Sequence, residues 1–456
     1  MYKAFGWAVI ALGIAAPQNI FGQSLTDQVN FKSGTIGGVH LYGVSIYSGY
    51  QSSAYPLTGG SIASGVPGAG TLGPDVNYGA QATVGWQRHG ARTGFSLLYS
   101  GGYNGMVQYS DTNGFNQSLL LNFSRQLSTK WTLNISGSGQ DMTLAQFLNQ
   151  PTSLGVITQL PTTFDDLAAA FSVGRFSDAQ AASMLTGAPV LESPVRATLL
   201  GNRVLSYSVQ AEVEYVHSSR LSFHFGGFSA GGENRDNGQN PQPTNYVMPT
   251  SLGARAGMGL SYALSPRTDL GLSIEEMRSV NQFQSGYTTS GSASLGRKMG
   301  MHWFLNVRGG GSYSRITEQL YGVPVAHTVT GGGSLGFRTY QHTLVASYDR
   351  TGSDNYGFAI GVNTTAMGSW NWHRPGAGWS IFANAGQQRI RNTGYMTLSG
   401  WQAAAGFSER LSFQTTVSVQ YVYSSNKGSY YTGGLSDFDV HSIRVSLNWA
   451  PQAVLH

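Results

Sequence analysis

The segment Tyr78-Gly-Ala-Gln-Ala-Thr-Val-Gly-Trp86 alternates strictly between two kinds of side chain. In an extended strand, Tyr, Ala, Ala, Val and Trp at its even positions share one face, because successive side chains point to opposite sides. The other face carries only glycine, glutamine and threonine. The segment therefore predicts a strand with one apolar face and one small, polar and uncharged face.

The same two-residue period recurs along the chain, most clearly in residues 206–215, 252–262, 416–423 and 442–449. Counting such segments predicts roughly eighteen strands. Their starts fall near residues 39, 77, 93, 117, 131, 204, 221, 252, 269, 287, 303, 328, 342, 357, 378, 400, 412 and 440. Aromatic residues stand near the ends of many apolar faces: Tyr78, Trp86, Trp131, Tyr207, Tyr215, Trp303, Trp379, Tyr423 and Trp449.

The composition separates two kinds of all-β protein that share this alternation. Charged residues make up only 10% of the chain, against roughly 25% in a typical soluble protein. A soluble β-sandwich or all-β repeat protein would expose charge on its polar faces and use strands of about five or six residues. Strands of about ten residues with nearly uncharged polar faces favour a protein that crosses a membrane.

Cysteine and charge usage exclude several other functions. The chain has no cysteine, so it has no disulfide, thiolate metal site or cysteine nucleophile. The net charge of +5 is scattered in single Arg and Lys residues. Because no basic run or recognition motif is present, we expect no nucleic-acid partner.

The connections between predicted strands alternate in length. Those after odd strands tend to be longer, at 51–76, 101–116, 142–203, 230–251, 314–327 and 424–439. Those after even strands are mostly short, and nearly all carry a basic residue. With short turns on one side and long loops on the other, the sequence resembles bacterial outer-membrane β-barrels over almost the whole mature chain. The resemblance implies an all-β, transmembrane, antiparallel up-and-down barrel of 16–18 strands over residues 37–456. Its long loops would be extracellular and, since the strand count is even, both termini periplasmic.

The N-terminus has the pattern of an export signal. A short positive region at Met1-Tyr-Lys3 precedes the apolar stretch from Trp7 to Ala16, which is too short to span a membrane as a helix. This predicts a signal peptide over residues 1–22 and a short periplasmic segment over 23–36. The alternative is a buried N-terminal helix.

The longest connection, 142–203, differs in character from the others. Thr163-Phe-Asp-Asp166 and Ser177-Asp-Ala-Gln180 resemble helix caps and predict two short helices. The connection follows the fifth predicted strand, as does the constriction loop that folds into the lumen of general porins. That resemblance makes Asp165, Asp166 and Arg175 candidates for narrowing a pore. The alternative is an external loop packed over the mouth of the barrel.

Motifs typical of enzymes occur only in predicted strands or the loops beside them. Ser229 and Ser334 fit G-x-S-x-G, and 331–336 fits G-x-G-x-x-G, but no strand-to-helix turn accompanies either pattern. The ten histidines are dispersed, and none lies in an H-E-x-x-H motif. The sequence therefore predicts no enzyme activity and no catalytic, cofactor-binding or metal site.

The remaining candidates are ionisable residues on the predicted polar faces, which could line a pore: Glu212, Glu214, His224, Arg255, Glu275, Arg308 and Arg444. Barrels of 16–18 strands usually leave an aqueous channel. The leading hypothesis is a porin-like channel for passive diffusion of small hydrophilic solutes, embedded in outer-membrane lipid. Two alternatives stay open: the barrel component of an export system, for example for a surface polysaccharide, and a structural or adhesive barrel. Homo-oligomers and export-system subunits are the protein partners to consider.

Overall fold

A computed structural model describes residues 39–52, 74–108, 113–143, 203–235, 251–281, 284–319, 327–354, 360–374, 378–392, 396–412, 414–430 and 435–450. The predicted signal peptide (1–22) and the segment 23–36 lie outside these residues. So does the connection 144–202, which contains the predicted short helices and Asp165, Asp166 and Arg175.

The described residues form eighteen strands. In chain order they are β1 (Val39–Gln51), β2 (Asp75–His89), β3 (Thr93–Met106), β4 (Gly114–Gln126), β5 (Trp131–Thr143), β6 (Arg203–Val216), β7 (Leu221–Arg235), β8 (Ser251–Ser265), β9 (Thr268–Asn281), β10 (Gln284–Met299), β11 (Trp303–Gln319), β12 (His327–Arg338), β13 (His342–Asp354), β14 (Ile360–His373), β15 (Trp379–Asn392), β16 (Met396–Arg410), β17 (Thr415–Tyr430) and β18 (Leu435–Trp449).

Each strand pairs antiparallel with its neighbours in the chain, and the sheet closes on itself. β18 pairs with β1 from Val44↔Trp449 to Gln51↔Ser442. A closed sheet leaves no backbone edge unpaired, which is the condition for strands to cross lipid. The predicted antiparallel up-and-down barrel of about eighteen strands is confirmed.

Several predicted loops are shorter than the sequence indicated. The connection predicted over 424–439 is mostly strand, because β17 and β18 pair as far as Ser429↔Leu435. Likewise, β3 continues to Met106 and β4 begins at Gly114, inside the loop predicted over 101–116. These stretches are rich in Ser, Asn and Gly, so they lack the alternation that marks a strand. Ladder pairing with a neighbouring strand extends them regardless.

The two faces of the sheet have opposite chemistry. Large apolar side chains are exposed on one face, with Met258, Leu272 and Ile274 each 58% exposed. Polar side chains are buried on the other face, with Ser136 at 0% and Ser208 at 2%. A sheet closed this way presents its apolar surface to lipid and its polar surface to the interior. In the described part of the chain, no helix is long and apolar enough to cross a membrane.

Aromatic pairs border the apolar surface at both ends. We name the end with tight turns, such as 265–268 and 300–302, the short-turn end, and the other the long-connection end. Trp131 packs against Tyr215 with ring centroids 4.5 Å apart at the short-turn end. Tyr103 packs on Phe115 at 5.1 Å at the long-connection end. Such rings are typical of the two membrane–water interfaces.

Hydroxyl groups of adjacent strands bond to one another along the inner face. Thr83 and Ser100, Ser138 and Ser208, and Ser418 and Ser446 are directly opposite each other, with oxygens 2.8, 2.7 and 2.6 Å apart. Cross-strand hydroxyl pairs of this kind stabilise a sheet modestly. They also give these inward hydroxyl groups a hydrogen-bond partner other than water.

Glycines opposite large inward rings are a second feature of the inner face. Phe382 is 1% exposed and lies over Gly406, its partner in register. A Cβ at Gly406 would overlap the Phe382 ring and lie 2.8 Å from the carbonyl oxygen of Val419. The backbone and the buried ring together leave no space for a side chain here.

We therefore predict that Gly406→Ala destabilises the barrel by about 1–3 kcal/mol, the usual effect of overpacking. Urea unfolding in lipid vesicles, followed by tryptophan fluorescence, measures it. Gly253→Ala is the matched control, because a Cβ at this inner-face position would meet its nearest atoms at 3.9 Å. Equal effects of the two substitutions would contradict the packing argument.

Candidate functional site

The structure places all seven predicted pore-lining residues on the inner face. Several are opposite a glycine in register: Glu212 opposite Gly226, Glu275 opposite Gly257, Arg308 opposite Gly332 and Arg444 opposite Gly49. A glycine opposite a long side chain leaves room for it to lie along the wall rather than project across the lumen. The charges therefore form local groups at different places around the barrel.

Arg255 and Glu275 form the most open of these groups. Arg255 Nη1 lies 3.4 Å from Glu275 Oε2, and the two side chains are 40% and 44% exposed. Ser290 Oγ donates a hydrogen bond of 3.1 Å to Glu275 Oε1. The Arg255 guanidinium also lies 5.3 Å from the centre of the Phe228 ring, within range of a cation–π interaction. Both charges are thus held on the wall while remaining accessible from the lumen.

Arg308 pairs with Asp349, a residue that the sequence analysis missed. They stand on β11 and β13, and Gly332 of the intervening β12 is opposite both of them. Arg308 Nη2 donates a hydrogen bond to Asp349 Oδ1. The two side chains are only 20% and 15% exposed. The missed signal is the alternation of Ser347 and Asp349 with the outward Ala346 and Tyr348, although the inward, buried Val345 interrupts the polar series that begins at Thr343.

Glu212, Glu214 and His224 form a third group on β6 and β7. His224 Nδ1 lies 3.3 Å from Glu212 Oε1, and the side chains are 13% and 12% exposed. Glu214 is directly opposite His224 in register. Ser222 Oγ lies 3.2 Å from His224 Nε2. This group contributes mainly negative charge to its side of the wall.

Arg444 belongs to a polar chain that crosses the seam where the barrel closes. Its guanidinium lies 4.7 Å from the centre of the Tyr47 ring. Tyr47 in turn donates a hydrogen bond to Asn104 Oδ1 across β2, where Gly79 is opposite both residues. Tyr47 and Asn104 were not predicted as site residues. They connect the first, third and last strands through side chains.

Glu275 and Glu276 are adjacent on β9, and their side chains point to opposite faces of the sheet. Glu275 is opposite Gly257 and faces inward, whereas Glu276 is opposite the outward Ala256. These two neighbouring carboxylates therefore point to opposite sides of the sheet and cannot act as a pair.

The motif serines occupy ordinary strand positions. Ser334 is buried on the inner face of β12, opposite Asn306. Ser229 lies on the outer face of β7, opposite Val209. A nucleophile elbow needs a sharp strand-to-helix turn, and neither serine has one. Among the described residues, no three His, Cys, Asp or Glu side chains cluster as metal ligands.

Comparison with known proteins finds similarity only among solved structures. No protein-family model and no curated protein matches the chain. OccK2 (OpdF) of Pseudomonas aeruginosa is 13% identical with a TM-score of 0.47, and the alignment covers 92% of this chain and 100% of that one. The complex of OccK2 with glucuronate gives the same identity and coverage with a TM-score of 0.46. The outer membrane protein OpdK of the same organism is 12% identical with a TM-score of 0.45, over 92% of this chain and 100% of that one. The strand pairing of the chain itself, rather than these similarities, defines its fold.

The two arginine–carboxylate pairs differ in burial, which predicts different coupling energies. A double-mutant cycle on Arg308→Gln and Asp349→Asn should give a coupling free energy of about 1–3 kcal/mol. The more exposed Arg255→Gln and Glu275→Gln cycle should give about 0–1 kcal/mol, because water screens that pair. Urea unfolding of seven proteins, the wild type and three variants for each cycle, provides both values. A larger coupling for the Arg255 pair would contradict the assigned burial.

Proposed function

We propose that the chain is an outer-membrane channel through which small hydrophilic solutes diffuse passively. The observation that carries the proposal is the closed eighteen-stranded barrel with a polar, partly charged inner face. A barrel of 16–18 strands is usually wide enough to keep an aqueous lumen. A wall of hydroxyl, amide and ionised groups suits water and polar solutes and disfavours apolar ones.

The charged groups of the wall are the proposed determinants of selectivity. Fixed charges in a pore favour permeant ions of opposite sign. Of the three ion-paired groups, Arg255 and Glu275 are the most exposed, so we infer that they meet passing solutes most directly. Glu212, Glu214, His224, Arg308 and Arg444 would act mainly on the local potential of the wall.

The orientation we propose puts the short-turn end in the periplasm. β1 begins and β18 ends at that end, so both termini would be periplasmic, as export by the predicted signal peptide requires. Short periplasmic turns and longer external connections are typical of bacterial outer-membrane barrels.

We further propose that the connection 144–202 narrows the lumen through Asp165, Asp166 and Arg175. Thr143 ends β5, and Arg203 begins its neighbour β6 at the same long-connection end. The segment therefore leaves and re-enters the barrel at one point of the rim. From there it has the length to fold inward or to cover the mouth.

Neutralising Glu275 should change ion selectivity, and neutralising Glu276 should not. Glu275→Gln leaves Arg255 without its carboxylate, so the ratio of chloride to potassium permeability should rise about two- to fourfold at low salt. This follows because a unit charge a few ångströms away contributes about 1 kcal/mol in water. The reversal potential of the purified barrel in a planar bilayer under a KCl gradient measures it. Glu276→Gln is the matched control, because its side chain faces outward. Equal shifts in both variants would contradict the assignment of Glu275 to the lumen.

Replacing residues 146–200 with a short Gly-Ser linker should raise single-channel conductance if the connection narrows the lumen. Unchanged conductance would place the connection outside the pore. A folded wild-type barrel that stays silent alone, and also after this replacement, would contradict the diffusion channel. That result would favour an export component, which needs inner-membrane or periplasmic partners, or a structural or adhesive barrel.

A further inference from the structure

Five exposed arginines stand on the outer face near the long-connection end. They lie toward the C-terminal ends of four strands that run in the same direction: Arg278 on β9, Arg315 on β11, Arg350 on β13, and Arg389 and Arg391 on β15. These strands alternate along one continuous part of the closed sheet. We call these five residues the arginine row.

The strand register fixes the outward direction of the arginine row. Arg278 and Arg315 are both opposite Tyr287 of the intervening β10. Arg350 and Arg389 are both opposite Thr364 of β14. Because neighbouring strands are about 4.8 Å apart, the two arginines of each of these pairs are separated by about 10 Å. Arg350 is level with Gly309 of β11 through Gly331 of β12, so the two pairs are offset along the strands by about 20 Å.

Neighbouring tyrosines indicate the depth of the arginine row. Tyr313 and Tyr348 precede Arg315 and Arg350 by one full strand repeat on the same face, and they are 46% and 47% exposed. The Arg278 guanidinium lies 5.5 Å from the centre of the exposed Tyr287 ring. Tyrosine belts mark the membrane–water interface. The guanidinium groups therefore stand just beyond it, at the level of lipid headgroups.

The charge along this part of the outer face is net positive. At this end of β9 to β15, the strand register gives outward positions to the five arginines and to three acids, Glu276, Glu318 and Asp354. Guanidinium groups bind phosphate through two parallel hydrogen bonds and remain charged at any physiological pH. Several of them at headgroup level form a surface complementary to phosphorylated lipid.

We infer that the arginine row binds the phosphate groups of a lipid in the outer leaflet. The inference rests on the orientation given under the proposed function, since it places the long-connection end at the cell surface. Binding would order the lipid along β9 to β15 and anchor that side of the barrel. It involves no residue of the inner wall and so is independent of solute passage.

The test compares two triple variants of the purified barrel in detergent. One removes part of the arginine row: Arg315→Gln, Arg350→Gln and Arg389→Gln. The control removes three exposed, outward arginines from the short-turn end: Arg88→Gln, Arg125→Gln and Arg297→Gln. The probe is fluorescent lipopolysaccharide, and its dissociation constant is measured by anisotropy at low and high salt. The same lipopolysaccharide with its phosphates enzymatically removed is the ligand control.

We expect the arginine-row variant to bind about a hundredfold more weakly than wild type, since each of the three basic residues near an anionic lipid surface contributes about a fivefold factor. The control variant should bind as wild type does, and dephosphorylated lipopolysaccharide should bind weakly to all three proteins. Equal binding by the two triple variants, or equal binding of the two ligands by wild type, would overturn the inference.

Bilayer recordings on the same proteins separate this inference from the proposed channel. If the barrel conducts but all variants bind lipopolysaccharide equally well, the result contradicts the lipid site and supports the channel. If the barrel does not conduct but the arginine-row variant binds lipopolysaccharide more weakly as expected, the result supports the lipid site and contradicts the channel. Weakening only in the control variant would overturn both the lipid site and the proposed orientation.

Discussion

Pairing between the first and last strands is the interaction on which the rest of this structure depends. In the hydrocarbon of a bilayer, an unpaired backbone N–H or C=O group is strongly unfavourable, so a sheet can cross only when it has no edge. The β1–β18 ladder from Val44↔Trp449 to Gln51↔Ser442 removes the two edges that an open sheet would keep. Closure also creates the inside and the outside, to which every side chain is then assigned.

Curvature gives the inner wall a kind of contact that a flat sheet lacks. Inward side chains of alternate strands converge, and a glycine on the strand between them leaves the path clear. Tyr47 reaches Asn104 over Gly79 in this way, and Arg308 reaches Asp349 over Gly332. The wall can therefore hold ionised groups in pairs without filling the lumen. In a channel, such pairs fix the local potential while leaving the central path to water and solute.

The outer surface is organised by depth. Apolar side chains such as Leu272 and Ile274 face the hydrocarbon, tyrosines follow near the interface, and arginines stand beyond them on β9 to β15. Each layer matches the part of the bilayer at its depth, from acyl chain to interface to headgroup. Among the side chains that the structure describes at this end, the outward arginines are concentrated on β9 to β15, on one side of the circumference.

The sequence by itself determined which face of each strand is apolar, the number of strands, and several starts, including those of β1, β5 and β11 at residues 39, 131 and 303. These features follow from a two-residue period that is local to each strand, and a slip by one residue would reverse both faces. Only the tertiary structure decided which residues are opposite each other, because a slip by two residues preserves the faces and leaves the local pattern unchanged. That register made Asp349 the partner of Arg308, extended β17 and β18 through a predicted loop, and closed the barrel through contacts between the two ends of the chain.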